Sequence, residues 1–263
     1  MCNALKYGNV GQVMNGLPIF FCKERKVIEE LLAENGFVPD IDDDAFGEAY
    51  ERCPAVQKSV IKNAVSFAYA LAQNGTEPVS QTRRFGHVEH TLRCEPLQWA
   101  FFAVDVRRFP LPALFSAMVQ ALVAKVQGLV VHVSGPVADP LLFGCDFLSA
   151  HQVFTSDYRP ILKLLADAGP GACIDLAGLD LEYPRTLRPD PAGYGVELRL
   201  PDSPYAQAYK AVTAEAMTTG RSYISYGGEP GSAPVVMAER LLGCWVWDVI
   251  NLDTFRQYTS SYS

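Results

Sequence analysis

Trp99-Ala100-Phe101-Phe102-Ala103-Val104 and Leu129-Val130-Val131-His132-Val133 decide the fold of this chain. Both are short apolar runs, the second mostly β-branched, of the kind buried on both faces of a parallel sheet. Between them Pro110 and Pro112 open a helical stretch to about Gln127, with Leu114, Met118, Leu122 and Val126 at i, i+4 spacing and Gly128 as its stop. Strand, helix and strand at this spacing form a βαβ unit with a right-handed crossover. Ser134-Gly135-Pro136 then reads as a loop, Pro140 to Ala150 as a helix, Gln152 to Phe154 as a short strand and Tyr158 to Ala168 as a helix. This alternation predicts an α/β protein with a Rossmann-like, doubly wound, mainly parallel sheet and helices on both faces.

Upstream, Lys23 to Asn35, Asp42 to Glu51 and Pro54 to Gln73 carry helical spacing. The last of these shows Val56, Val60, Ala64, Phe67, Ala68 and Leu71 on one face and Asn74-Gly75 at its end. Residues 79 to 94 alternate polar and apolar around Gly86, as in a solvent-facing hairpin. After Gly169-Pro170-Gly171 the composition shifts, and Tyr183 to Gly195, with three prolines and two glycines, reads as a long loop or boundary. Beyond it come a strand at Val196 to Leu200, a helix opened by Ser203-Pro204, a strand at Ser222 to Tyr226, and apolar segments to Ile250. A short helix near Asp253 to Tyr258 and a polar tail close the chain. The expected organisation is a helical N-terminal region (1–75), a Rossmann-like α/β domain (76–182) and a smaller C-terminal α/β segment (183–263), without an internal repeat.

The 263 residues, 49% hydrophobic and 19% charged, suffice for a buried core. A net charge of -7 and a pI near 5.1 argue against nucleic-acid and anionic-membrane partners, and the arginines Arg83-Arg84 and Arg107-Arg108 form only small pairs. Seven scattered cysteines, none in C-x-x-C spacing, fit free thiols in a reducing, cytoplasmic setting. Lys6, Asn9 and Gln12 interrupt any leader pattern at the start. The most apolar stretch, Leu111 to Val133, holds Gln120, Lys125, Gln127 and His132 and reads as a buried helix plus strand rather than a membrane span.

Ile41-Asp42-Asp43-Asp44-Ala45-Phe46-Gly47-Glu48-Ala49-Tyr50, with Pro54 and the helix to Gln73, resembles the N-terminal helical region of histidinol dehydrogenases. The order continues with Glu95-Pro96-Leu97 leading into Trp99, then Pro110, Leu114, Ala117 and the ending Ala124-Lys125-Val126-Gln127-Gly128. Gly135-Pro136 and Asp139-Pro140 follow in the same order. Ile250-Asn251-Leu252-Asp253-Thr254-Phe255 and Tyr258-Thr259-Ser260 are similar to that family's ending. The resemblance implies a Rossmann-like architecture shared with the aldehyde dehydrogenase superfamily, in shortened form, and favours a homodimer.

It also implies NAD as cofactor, a zinc site and a catalytic Glu-His pair, wherever the residues match. They depart at each place. The chain's histidines are His87, His90, His132 and His151, none in the family's ligand or catalytic settings, and Gly231-Ser232-Ala233-Pro234-Val235-Val236 stands where a ligand histidine would fall. Phe102-Ala103-Val104-Asp105-Val106 replaces a glycine turn, and Ser156-Asp157-Tyr158-Arg159 replaces a second. Asp105 and Asp157 would put negative charge near a pyrophosphate, which argues against tight NAD binding. Zinc is not expected and no catalytic residue is assigned. Phe102, Asp105, Ser134, Asp157 and Tyr158 are the candidate cofactor- or ligand-binding residues.

Asp40, Asp42, Asp44 and Glu51 stand at the first, third, fifth and twelfth positions of a calcium loop, but Ala45 occupies the place of its turn glycine, and an amphipathic helix explains them better. His87 and His90 fall on opposite faces of a strand, His132 reads as a core histidine and His151 as a cap on helix-end carbonyls. Cys145 and Cys173 read as buried thiols. Ser134-Gly135-Pro136 occupies the strand-to-helix position where open α/β sheets bind ligands, a position that a plain connecting loop fills equally well. Tyr223, Tyr226, Trp245 and Trp247 suit a subunit interface or a core. The function expected is a zinc-free relative of histidinol dehydrogenase that binds a small molecule or a partner. The alternative is an NAD(P)-dependent oxidoreductase using Asp105, Arg107, Asp157 and Tyr158; a subunit of a larger assembly is a third.

Overall fold

The computed structural model describes residues 26–73, 80–200, 203–211 and 222–262. Expectations for Asn74-Gly75, Val79, Cys2 and Cys22 lie outside these residues. Helices α1 (Lys26–Glu34), α2 (Asp43–Arg52) and α3 (Ala55–Ala72) come first, and the Asp42 carboxylate caps α2 by accepting from the Ala45 N–H. On α3 the buried line runs through Val60, Ile61, Ala64, Val65, Ala68 and Ala72, whereas Val56 and Leu71 are exposed. The stripe read from the sequence is thus turned toward Ile61 and Val65, because the helix packs between α4 (Leu111–Val123) and α7 (Pro204–Ala211).

The central sheet contains β3 (Trp99–Val104), β4 (Gly128–Val133), β5 (Gln152–Phe154), β6 (Gly171–Leu176) and β7 (Thr186–Leu187), all parallel, in the order β5-β4-β3-β6-β7. This is a doubly wound, Rossmann-like arrangement. Strand order reverses between β3 and β6, where open sheets form their crevice. Alternate residues of the fully buried β3 serve two layers. Ala100, Phe102 and Val104 face α3, α4 and α5 (Asp139–Phe147), while Trp99, Phe101 and Ala103 face α1 and α6 (Tyr158–Ala168).

Three local differences from the sequence reading have physical causes. Helix α4 ends at Val123, short of Gln127, because Lys125 turns left-handed (φ 67°) and Gly128 already begins β4, where a Cβ would lie 2.5 Å from Ile28 Cβ. Strands β6 and β7 arise where a composition shift and a loop were read. The polar tail is a strand, β11 (Arg256–Tyr262), reached through a 3-10 turn at Leu252–Phe255 rather than an α-helix.

Strand β11 pairs antiparallel with β2 (Val88–Pro96), which pairs with β1 (Ser80–Phe85). The register places Gln81, Arg83, Phe85, Val88, His90, Leu92, Tyr258, Ser260 and Tyr262 on one face and Arg84, Glu89, Thr82, Thr91, Gln257, Thr259 and Ser261 on the other. On the first face the aromatic and aliphatic side chains of Phe85, Val88, Tyr258 and Tyr262 are exposed beside Gln81 and Arg83. A third sheet, β8 (Gly195–Leu198), β9 (Ser222–Tyr226) and β10 (Val235–Met237), is parallel; its Tyr223 packs on Trp245, and Tyr194, just before β8, packs on Trp247. Those aromatics are buried within this chain's own core.

Candidate functional site

The C-terminal ends of β3, β4 and β6 gather the chemistry. The row Phe154, His132, Ala103 and Asp175 crosses the sheet on the α6 side, and the turns Asp105–Pro110, Ser134–Ala138 and Ala177–Tyr183 rise above it. After β3, Asp105 accepts from the Arg107 N–H and from Arg107 Nε and Nη2 at 2.8–2.9 Å, a fork that holds its carboxyl below the usual carboxylate range. Gly135 packs so closely on this pair that a Cβ would lie 2.8 Å from Asp105 Oδ1. Residue 135 therefore has to be glycine for the β4 turn to meet the β3 turn.

Arg108 lies across the β3–β6 gap. Its guanidinium occupies the space beside Gly178, which takes φ 75°, and its Nε is buried without a hydrogen-bond partner among the described residues. Beneath it Asp175 is buried. One oxygen accepts from the N–H groups of Ala177, Gly178 and Leu179 at 2.7–3.1 Å, and the other accepts from Arg188 Nε at 2.6 Å. Arg107 and Arg188 each pair with a carboxylate, whereas Arg108 Nε has no acceptor among the described residues. The negative charge read at Asp105 is offset by Arg107.

On β4, His132 and Ser134 are two residues apart and share a face. His132 Nε2 lies 3.0 Å from the Ser156 carbonyl and Nδ1 lies 3.3 Å from Ser134 Oγ. The Tyr158 ring meets the imidazole edge to face at 5.2 Å, and burial lowers the imidazole pKa. Asp40 fixes the Ser156 peptide by accepting from the N–H groups of Thr155 and Ser156 at 2.7 and 2.9 Å. Asp157 caps α6 through the Arg159 N–H and pairs with the Arg159 guanidinium. Tyr158, Lys163, Asp180 and Tyr183 help to line an adjoining cleft of about 450 Å³.

Among the five candidates, Asp105 and Ser134 meet through Gly135, and Tyr158 and Asp157 stand over His132. Phe102 is fully buried, facing Phe255 at 6.1 Å between ring centroids, and does not reach the crevice. Arg108, Asp175, Gly178 and Arg188 were missed: nothing in one-dimensional spacing joins positions so far apart. The meeting of His132, read as a core histidine, with Ser134 was missed as well, although strand alternation was a signal that could have shown it.

The residues do not fit a dinucleotide pyrophosphate. The β3–α4 turn has a carboxylate-bound arginine in place of glycines, Pro112 removes a first-turn N–H of α4, and Phe109 is packed on Trp247 at 5.8 Å. No three His, Cys, Asp or Glu side chains converge as a metal site among the described residues. His151 pairs with the Asp146 carboxylate at 3.2 Å rather than capping carbonyls, and His90 bonds Ser260. Cys145 and Cys173 are buried, which pushes both thiols up to about 12.

The strand order defines a Rossmann-like α/β fold. A solved histidinol dehydrogenase from Elizabethkingia anophelis is similar over 96% of this chain and 86% of that one, with a TM-score of 0.50 and 8% identity. A succinate-semialdehyde dehydrogenase from Burkholderia pseudomallei matches over 79% of this chain and 52% of that one, with a TM-score of 0.37 and 12% identity. At 8% identity the likeness to the first is one of fold alone. The chain matches no family model and no curated protein sequence. No described helix is long and apolar enough to cross a membrane.

Proposed function

We propose that this protein is a distant, zinc-free relative of histidinol dehydrogenases that has lost the parent reaction and binds a small anionic molecule, a carboxylate or a phosphate, in the crevice between β3 and β6. The observation that carries the reading is Arg108, a guanidinium at the strand-order reversal with a buried Nε that has no acceptor among the described residues. An unmet buried donor costs about 1–3 kcal/mol, and a bound anion would supply its acceptor. Thermal-shift measurements with succinate, phosphate, NAD, zinc and histidinol test it. At a hundredfold excess over the dissociation constant, succinate or phosphate should stabilise the chain by about 2.7 kcal/mol, several degrees in Tm, and Arg108→Gln should abolish the shift. Stoichiometric zinc with histidinol turnover would sink the reading. Stabilisation by NAD alone would favour the oxidoreductase alternative, with Asp105, Arg107 and Tyr158 at the strand ends.

A compartment that keeps thiols reduced, the cytoplasm, suits the five described cysteines, which are buried and free. The active form in this reading is a homodimer. What supports it is the exposure of four large side chains, Phe85, Val88, Tyr258 and Tyr262, on one face of the three-stranded sheet, with Arg83 and Gln81 among them, since exposed aromatics beside an arginine are the residues that subunit interfaces favour. Light scattering should give a dimer for the native chain and a monomer for the Phe85→Glu, Tyr262→Glu double variant. A monomeric native chain would contradict it.

A further inference from the structure

We infer that Ser134 and His132 form a nucleophile and base pair that hydrolyses esters carrying an anionic group on the acyl side. The anionic preference rests on the binding proposed at Arg108. The tautomer follows from the geometry. The Ser156 carbonyl can only accept, so Nε2, 3.0 Å away, carries the imidazole proton, and Nδ1 is left as the acceptor for the Ser134 hydroxyl at 3.3 Å. Ser134 is exposed at the strand end while His132 is buried beneath it, so the nucleophile meets solvent and the base does not. Burial favours the neutral imidazole, the form that can accept a proton. Asp40 acts as a positioning residue, holding the Ser156 peptide that orients the ring.

The donor for the oxyanion is the Gly135 N–H, next in the chain after the nucleophile, which makes no hydrogen bond among the described residues. In the first step Ser134 Oγ bonds to the acyl carbon as its proton passes to His132 Nδ1. The ester C–O bond then breaks and the departing alkoxide takes that proton. In the second step water adds to the acyl carbon, gives a proton to Nδ1, and the Oγ–acyl bond breaks with the proton returning to Oγ. The balance is ester plus water to acid plus alcohol, with no oxidant or cofactor.

Full-length protein should hydrolyse 4-nitrophenyl acetate and, faster, mono-4-nitrophenyl glutarate, and a fluorophosphonate should label Ser134 in peptide mapping. Ser134→Ala, at an exposed position, should lower both rates by about 100-fold or more, and His132→Gln should do the same with an unchanged circular dichroism spectrum. Arg108→Gln should lose the glutarate preference, read as the ratio of the two ester rates. Equal rates for native protein and Ser134→Ala, no hydrolysis of either ester, or labelling elsewhere would overturn the pair. If neither ester is cleaved while succinate still shifts Tm through Arg108, the pair fails and the anion site stands. If Ser134-dependent cleavage persists while Arg108→Gln keeps the glutarate preference, the anionic preference fails and the pair stands.

Discussion

Asp175→Ala is expected to destabilise the protein by about 3–5 kcal/mol, seen as a Tm lowered by roughly 10 °C in calorimetry. The carboxylate is buried and holds the turn after β6 by accepting three backbone N–H groups and Arg188. Alanine would strip charge-assisted acceptors from all of them at once. The Arg188 end contributes less, because that side chain is half-exposed and can turn to water. Asp175→Asn keeps an oxygen for the turn and replaces the acceptor facing Arg188 Nε by an NH2, from which the half-exposed arginine can turn away, so it should cost about 1–2 kcal/mol. Equal losses for both variants would mean that the ion pair, and not the turn, holds the strand end. Because Arg108 lies on Gly178 within this turn, Asp175→Ala should also weaken anion binding.

Trp99→Ala should cost about 3–5 kcal/mol, the usual range for a large buried aromatic. Trp99 opens β3, is fully buried, donates from Nε1 to the Gly169 carbonyl at 2.9 Å and packs against Tyr183 at 4.8 Å. Its ring fills the space where a Gly171 side chain would be. Gly171→Ala should therefore cost about 1–3 kcal/mol through overpacking in the native background, and close to nothing once Trp99 is alanine. A denaturation cycle over the two positions checks this. Additive losses would show that the two residues do not meet.

The same pair explains what the sequence hid. β3 and β4 were legible because their own side chains are large, apolar and unbroken. Gly171-Ala172-Cys173-Ile174-Asp175-Leu176 is as buried as either, yet its bulk is supplied from across the sheet by Trp99, and its first residue reads locally as a turn. β7 is two residues long and owes its existence to pairing with Cys173 and Ile174. β11 looked like a polar tail because six of its seven residues lie outside the core; its alternation of Tyr258, Ser260 and Tyr262 becomes meaningful only against β2.

The site divides in the same way. His132 and Ser134 are joined by strand geometry, so their meeting could be read from spacing of two. The pairing of Asp105 with Arg107 was likewise local, and the sequence reading counted the carboxylate without its partner. Arg108 over Gly178, and Asp175 with Arg188, depend on the parallel pairing of β3 with β6 and had no local signal.

The anion site at the strand-order reversal is tested most directly by a crystal structure of the protein soaked in succinate. Ordered carboxylate density against the Arg108 guanidinium, between the Asp105 and Ala177 turns, is the expected result. An undisturbed Arg108 with succinate bound elsewhere, or NAD ordered with its pyrophosphate on the Asp105–Pro110 turn in a parallel soak, would contradict it.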